Sequence, residues 1–226
     1  MNLSDTVPDA VLWDMDGTLA DTEPYWIAAE YDLAAAHGGH WSDEHAEALV
    51  GNDLVTSARY IRRHAGIDLT PAQIIDALLD GVVTRVRQHI PWRPGARDLL
   101  AALAEAHVPC ALVTMSYHRF ADAVVAALPE GSFATVVAGD DVRHGKPHPE
   151  PYLTAAARLH VDPSRCLAVE DSPTGLASAV AAGVPALGVE NVVPLVAAPD
   201  RHLVSTLKGL TPADLGLIAS TLRAVG

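Results

Sequence analysis

Val11-Leu12-Trp13-Asp14-Met15-Asp16-Gly17-Thr18 is an apolar run that ends abruptly in two acids and a glycine. Too short for a helix and closed by a turn residue, it reads as a buried strand over residues 11–15. Similar runs recur at residues 110–114, 135–138, 166–170 and 185–189, with helix-period segments between most of them. Leu99, Leu100 and Leu103 share a face of one such segment, and Phe120, Val124, Val125 and Leu128 a face of the next. Strands that are apolar throughout are buried on both sides. Their alternation with helices predicts an α/β fold built on a doubly wound parallel sheet.

The first connection is too long for that scheme. About 90 residues separate Met15 from Cys110, where a crossover needs a dozen or so. Within the gap Ile74, Ile75, Leu78, Leu79, Val82, Val83 and Val86 repeat at helical spacing behind Thr70-Pro71, a cap and first-turn pair. Two shorter helical patterns, at 24–36 and 54–65, precede it, and Pro91 and Pro94-Gly95 close the stretch. Residues 22–91 therefore read as an inserted all-helical domain, with 1–21 and 92–226 forming the α/β core. Residues 192–201 read as a surface loop ahead of a last helix at 212–224.

Composition narrows the class. With 50% hydrophobic and 19% charged residues the 226-residue chain is too apolar for disorder. A net charge of −13 disfavours binding to a nucleic-acid backbone, which requires a basic face. No apolar stretch is long enough to span a bilayer, and the first one lacks a basic flank, so a cytoplasmic protein with no membrane partner is expected. Cys110 and Cys166 each open an apolar strand and read as reduced core residues.

Open parallel sheets bind ligands beyond the carboxyl ends of their strands. The polar residues there are Asp14 to Thr18, Thr114-Met115-Ser116 and Glu170-Asp171-Ser172, joined by Gly145-Lys146-Pro147 ahead of a helix. A period of two sends the carboxylates of Asp14 and Asp16 to one side, and Asp171 adds a third anion. Charges about 4 Å apart repel by roughly 4 kcal/mol per pair at an effective dielectric near 20, so a cation is required. Oxygen ligands without His or Cys suit Mg²⁺. Lys146 can neutralise a carboxylate or a phosphoryl oxygen, and Thr114 with the amides of Met115 and Ser116 can donate to the others. That set suits phosphoryl transfer, with Asp14 as nucleophile and Asp16 as general acid and base.

Asp14-Met15-Asp16-Gly17-Thr18, Thr114, Lys146 and Glu170-Asp171, in this order, resemble the four motifs of the haloacid dehalogenase superfamily over nearly the whole chain. The resemblance implies a Rossmann-like core with a mobile helical cap, and a Mg²⁺-dependent enzyme acting on a small phosphate monoester through a phospho-aspartate. It makes Asp14 the nucleophile and Asp16 the acid/base that also lends its backbone carbonyl to the metal. Thr114 becomes the phosphoryl-binding hydroxyl, Lys146 the neutralising lysine, Asp171 the metal-side carboxylate and Glu170 an auxiliary acid on the same side. Within the superfamily the chain is most similar to the branch of β-phosphoglucomutase and of sugar-phosphate and phosphoglycolate phosphatases. Trp26 and Leu54 stand where the resembled mutases carry a His and an Arg. A phosphatase is therefore expected, with a phosphomutase as the alternative and a non-catalytic binding protein behind both. A monomer is expected, with a dimer as the alternative. His118, Arg119 and His144 read as solvated loop residues, and Arg59, Arg62 and Arg63 as a solvated helix face.

Overall fold

The computed structural model describes residues 7–224. Six parallel strands form one sheet: β1 (Ala10–Trp13), β2 (Cys110–Val113), β3 (Thr135–Val137), β4 (Cys166–Glu170), β5 (Ala186–Val189) and β6 (Arg201–Val204), in the order β3-β2-β1-β4-β5-β6. The first five match the apolar runs, β1 beginning one residue earlier and ending two earlier than expected. The sixth was not expected. Residues 192–200 are irregular, but Arg201 already belongs to a strand, and the exposed His202 breaks the apolar pattern of this edge.

Alternation along each strand builds two cores. Val11 and Trp13 of β1, with Leu112, Leu167, Val169 and Leu187, pack on the face covered by α5 (Ala96–Glu105), α6 (His118–Val125) and α9 (Pro212–Arg223). Ala10 and Leu12, with Ala111, Val113, Ala168 and Ala186, pack on the face covered by α7 (Glu150–Leu159) and α8 (Pro173–Ala181). The doubly wound sheet follows from this two-sided burial. Leu128 lies beyond the end of α6 and still packs against the first core.

Between β1 and α5 run α1 (Glu23–Ala36), the short α2 (Asp43–Glu47), α3 (Leu54–His64) and α4 (Pro71–Gln88). Thr70 and Gln73 close a capping box at the start of α4, whose residues Ile74 to Val86 bury one continuous face. Gly81 of α4 lies so close to α1 that a Cβ would sit 2.8 Å from that of Ala29. The linkers leading into and out of this helical segment run side by side: the Asp21 amide donates to the Pro91 carbonyl at 2.8 Å and the Arg93 amide to the Leu19 carbonyl at 3.0 Å. Arg119 of α6 reaches across to Asp80 and Asp76 of α4. Among the described residues no helix is long and apolar enough to cross a membrane. Cys110 and Cys166 are free and buried, and burial pushes both thiols up to about 12.

Candidate active site

In the strand order β3-β2-β1-β4, the chain leaves the sheet in opposite directions on either side of β1, and a crevice opens beyond the carboxyl ends there. Asp14, Thr114 and Asp171 each follow the last residue of a strand or lie immediately after it, and all three line a cavity of about 400 Å³ together with Asp16 and Lys146.

Lys146 is the hub. Its Nζ donates to Asp14 Oδ1 at 2.7 Å, to Glu170 Oε1 at 2.6 Å and to the Val113 carbonyl at 2.9 Å, which uses all three of its protons. Two carboxylates hold the ammonium protonated and raise its pKa against the effect of burial. Asp14 is pushed well above the usual carboxylate range by burial and by Glu170, with Lys146 opposing. Asp171 is pushed up to about 6, by burial first and then by Glu170, while Asn191 and Thr18 act the other way. Asn191 Nδ2 donates to Asp171 Oδ2 at 2.8 Å, and Thr18 Oγ1 to Oδ1 at 3.3 Å. Gly17 has φ +88°, and a Cβ there would lie 1.9 Å from Asp171 Oδ2, so only glycine lets the chain turn past this carboxylate.

Glu170 is fully buried, and both of its oxygens are occupied by protein donors. Oε1 accepts from Lys146 and from Tyr152 Oη at 2.8 Å. Oε2 accepts from the amides of Asp171 and Ser172 and from the Ser172 hydroxyl. The auxiliary metal-side acid expected from sequence thus makes its contacts with Lys146 and the start of α8. A Cβ at Gly175 would overlap its carboxyl carbon at 1.9 Å, so this first turn of α8 also depends on glycine.

Asp16 points elsewhere than the strand period suggests, because β1 ends at Trp13 and the alternation stops with it. Its Oδ1 accepts from Thr22 Oγ1 at 2.5 Å and Trp26 Nε1 at 3.3 Å, its Oδ2 from Ser116 Oγ at 2.8 Å and Thr114 Oγ1 at 3.2 Å. Carboxylate oxygens of Asp14, Glu170 and Asp171 lie within 4.8 Å of one another, whereas the side chain of Asp16 is not in that group. Three close carboxylates with one ammonium leave net negative charge in a buried place. Glu170's oxygens in this cluster are already taken by protein donors, while those of Asp14 and Asp171 are hard donors in an anion-crowded place that raises both pKa values, so this pair fits Mg²⁺.

Met115 lines the cavity, and its sulfur accepts from the Lys146 amide at 3.2 Å. The backbones of Gly139 and Gly145 press against Met115 so closely that a Cβ at either would clash. Ser116 is fixed by its amide on Thr114 Oγ1 at 3.0 Å. His118, expected in a loop, opens α6 and pairs with Asp141 and Asp122, while the loop residue His144 pairs with Glu150, so both serve local contacts. Thr18 closes the first motif stretch, whereas Asn191, Tyr152 and Thr22 support the site without any signal in a single sequence, since each is an ordinary polar or aromatic residue outside the four motif stretches.

A family model for haloacid dehalogenase-like hydrolases matches residues 8–183. The chain is 31% identical over 215 residues to hexitol phosphatase B of Escherichia coli (strain K12), covering 91% of this chain and 96% of that one. The structure of CbbY from Rhodobacter sphaeroides in complex with phosphate superposes with a TM-score of 0.81 at 30% identity, over 89% of this chain and 96% of that one. β-Phosphoglucomutase from Clostridium difficile shares the fold, with a TM-score of 0.78 at 21% identity over 94% and 97% of the two chains. With a family model matching residues 8–183 and a relative 31% identical over 91% of its length, the chain belongs to the haloacid dehalogenase-like hydrolase family.

Proposed function

We propose that the protein is a Mg²⁺-dependent phosphatase that hydrolyses a small phosphate monoester, a sugar phosphate or close relative, through a phospho-aspartate on Asp14. The observation that carries this reading is the Asp14–Lys146–Glu170 chain of contacts at 2.7 and 2.6 Å, at the crevice end of β1. Glu170 has no free lone pair to offer and instead holds the ammonium against Asp14, so it is a positioning residue for Lys146. The phosphatase relative in Escherichia coli supports the reaction class.

Asp14 and Asp171, with Asp16 beside them, are the residues that would hold Mg²⁺. When bound, the ion supplies positive charge to the phosphoryl oxygens and to the carboxylates around them. Asp14 forms a bond to phosphorus as the ester P–O bond breaks, and Lys146 neutralises charge on the transferring group. Thr114 and Ser116, which hold Asp16 here, are the donors an incoming phosphoryl group takes over. Asp16, carrying the proton left on it by the previous turnover, is thereby released to give that proton to the leaving oxygen. It then accepts a proton from water, which attacks phosphorus, regenerating Asp14 and freeing phosphate. Trp26 Nε1 can donate a proton in a hydrogen bond but cannot accept one, so it cannot relay protons between two sugar hydroxyls as a mutase requires.

Helices α1 to α4 act in this reading as a cap over the crevice, hinged at the paired linkers around Ala20 and Trp92. The test is phosphate release from a panel of sugar, polyol and glycolate phosphates with and without Mg²⁺. Release from at least one monoester that is lost in chelator is expected. Absence of release from every member, or full activity after exhaustive chelation, would reject the proposal.

A further inference from the structure

The helical side of the cavity is the part that would meet whatever is attached to the phosphate. Helix α1 presents Glu23, Trp26 and Glu30 to it, spaced at i, i+3 and i+7 on one face. Glu30 is only 6% exposed. Its Oε2 accepts from Trp41 Nε1 at 3.1 Å, and its Oε1 has no partner among the described residues. Burial pushes its pKa up to about 8, with the Trp41 bond opposing and Glu23 adding to the rise. A carboxyl group clamped through one oxygen, with the other unpaired and the residue lining a cavity, bonds a hydroxyl whether or not it carries a proton. Asn52 and Ser57 line the same wall and extend it with further polar groups.

Among the described residues lining the cavity, Lys146 is the sole Lys or Arg, and its three protons are committed. The carboxylate of Asp53, also in the lining, is spent on capping α3 through Val55 and Thr56. A second phosphate on the substrate would lose its water beside Glu23 and Glu30 with no counter-charge to replace it, which is costly. A chain of hydroxyls would meet acceptors and donors instead.

Resting on the phosphatase reading above, we propose that Glu30 is a specificity residue that bonds a hydroxyl of a polyhydroxylated and otherwise uncharged substrate, so that the cap wall selects monophosphates over bisphosphates. The experiment compares kcat/KM for sorbitol 6-phosphate, glucose 6-phosphate, fructose 6-phosphate and fructose 1,6-bisphosphate with that for p-nitrophenyl phosphate, which has no hydroxyl to offer. It uses the wild type, Glu30→Gln and Glu30→Leu. At least one sugar or polyol monophosphate should exceed both p-nitrophenyl phosphate and the bisphosphate. Glu30→Leu should reduce that preference over p-nitrophenyl phosphate by roughly ten- to a hundred-fold, the size of a lost hydrogen bond to a buried polar group. Glu30→Gln, which keeps the shape and an oxygen acceptor, should restore most of it. A purely structural role for Glu30 would lower all substrates together and leave the ratio unmoved, which overturns the proposal. So would a bisphosphate handled as well as its monophosphate, or p-nitrophenyl phosphate outperforming every sugar phosphate. Should Glu30→Leu fail to fold, the wild-type substrate order and the Glu30→Gln ratio still decide. A wild type that hydrolyses nothing, p-nitrophenyl phosphate included, defeats the phosphatase reading itself and is thereby told apart from failure of the Glu30 assignment.

Discussion

Replacing Lys146 with Met removes a buried cation and keeps most of the volume, so its effect on stability reads the electrostatics of the site without a cavity term. Side chains of Lys146 and Asp14 are 6% and 10% exposed and that of Glu170 is fully buried. Without the ammonium, Asp14, Glu170 and Asp171 face one another with oxygens within 4.8 Å. Unit charges at that distance repel by about 3.5 kcal/mol per pair at an effective dielectric of 20. Removing one partner from a buried ion pair costs about 3–5 kcal/mol in comparable sites, and that is the loss expected for Lys146→Met in metal-free buffer at pH 8. The pH dependence has a definite sign. Asp14 already has its folded-state pKa raised, so its contribution to stability is complete at low pH and is lost as pH rises through the folded value. Lys146 is the group opposing that rise, so its removal moves the carboxylates further up and steepens the loss. At pH 5 the variant can protonate them, and the cost should fall below about 2 kcal/mol. Urea unfolding followed by tryptophan fluorescence at both pH values measures the two differences. A cost under about 1 kcal/mol at pH 8, or one that does not change between pH 8 and pH 5, would refute the assignment of Lys146 as the charge that holds this cluster together.

Asp14→Asn should abolish phosphate release while leaving the unfolding midpoint equal to or above that of the wild type, because the amide keeps the shape and removes one of the crowded charges; steady-state release and urea unfolding check both halves. Glu170→Gln should lower kcat by about 10–100-fold with little change in KM, since the loss lies in the placement of Lys146 and not in substrate contacts. Gly17→Ala should be strongly destabilising and inactive, as its methyl group would occupy the place of the Asp171 carboxylate at an unfavourable φ of +88°. Glu30→Gln should leave the free enzyme unchanged below about pH 4.5 and stabilise it increasingly from there to about pH 8, because the carboxyl stays neutral in the folded protein up to about 8 while it ionises in the unfolded chain from its ordinary value of 4.5, so the wild type loses stability across that window; unfolding midpoints across the range test the sign.

The parallel sheet and the positions of Asp14, Thr114 and Asp171 are legible in the sequence for one reason: the strands are short apolar runs, and these three residues follow such runs at once; Lys146 follows no run and is marked only by its Gly-Lys-Pro stretch ahead of a helix and by the motif order. β6 lacks that signature, since Arg201 and His202 interrupt it at a sheet edge where one flank needs no burial. The five-residue α2 is too short to show a period. Within the site, the strand alternation mispoints Asp16, because the chain leaves extended geometry at Trp13 and four donors from other elements set the carboxylate's direction. Glu170 illustrates the remaining gap. Its place next to Asp171 marks it as part of the site, but only the contacts with Lys146, Tyr152 and the start of α8 reveal what its oxygens do. The pairing of Glu30 with Trp41 across the helical segment is likewise a product of packing that neither residue announces.

The covalent role of Asp14 is tested most directly by stereochemistry at phosphorus. A phosphorothioate monoester made chiral with two oxygen isotopes is hydrolysed in water carrying the third, or an ester chiral with all three isotopes passes its phosphoryl group to an alcohol acceptor, and the configuration of the product phosphorus is read by NMR. Two successive in-line displacements, first by Asp14 and then by the acceptor, predict net retention. Net inversion would mean a single direct displacement by water and would contradict the phospho-aspartate.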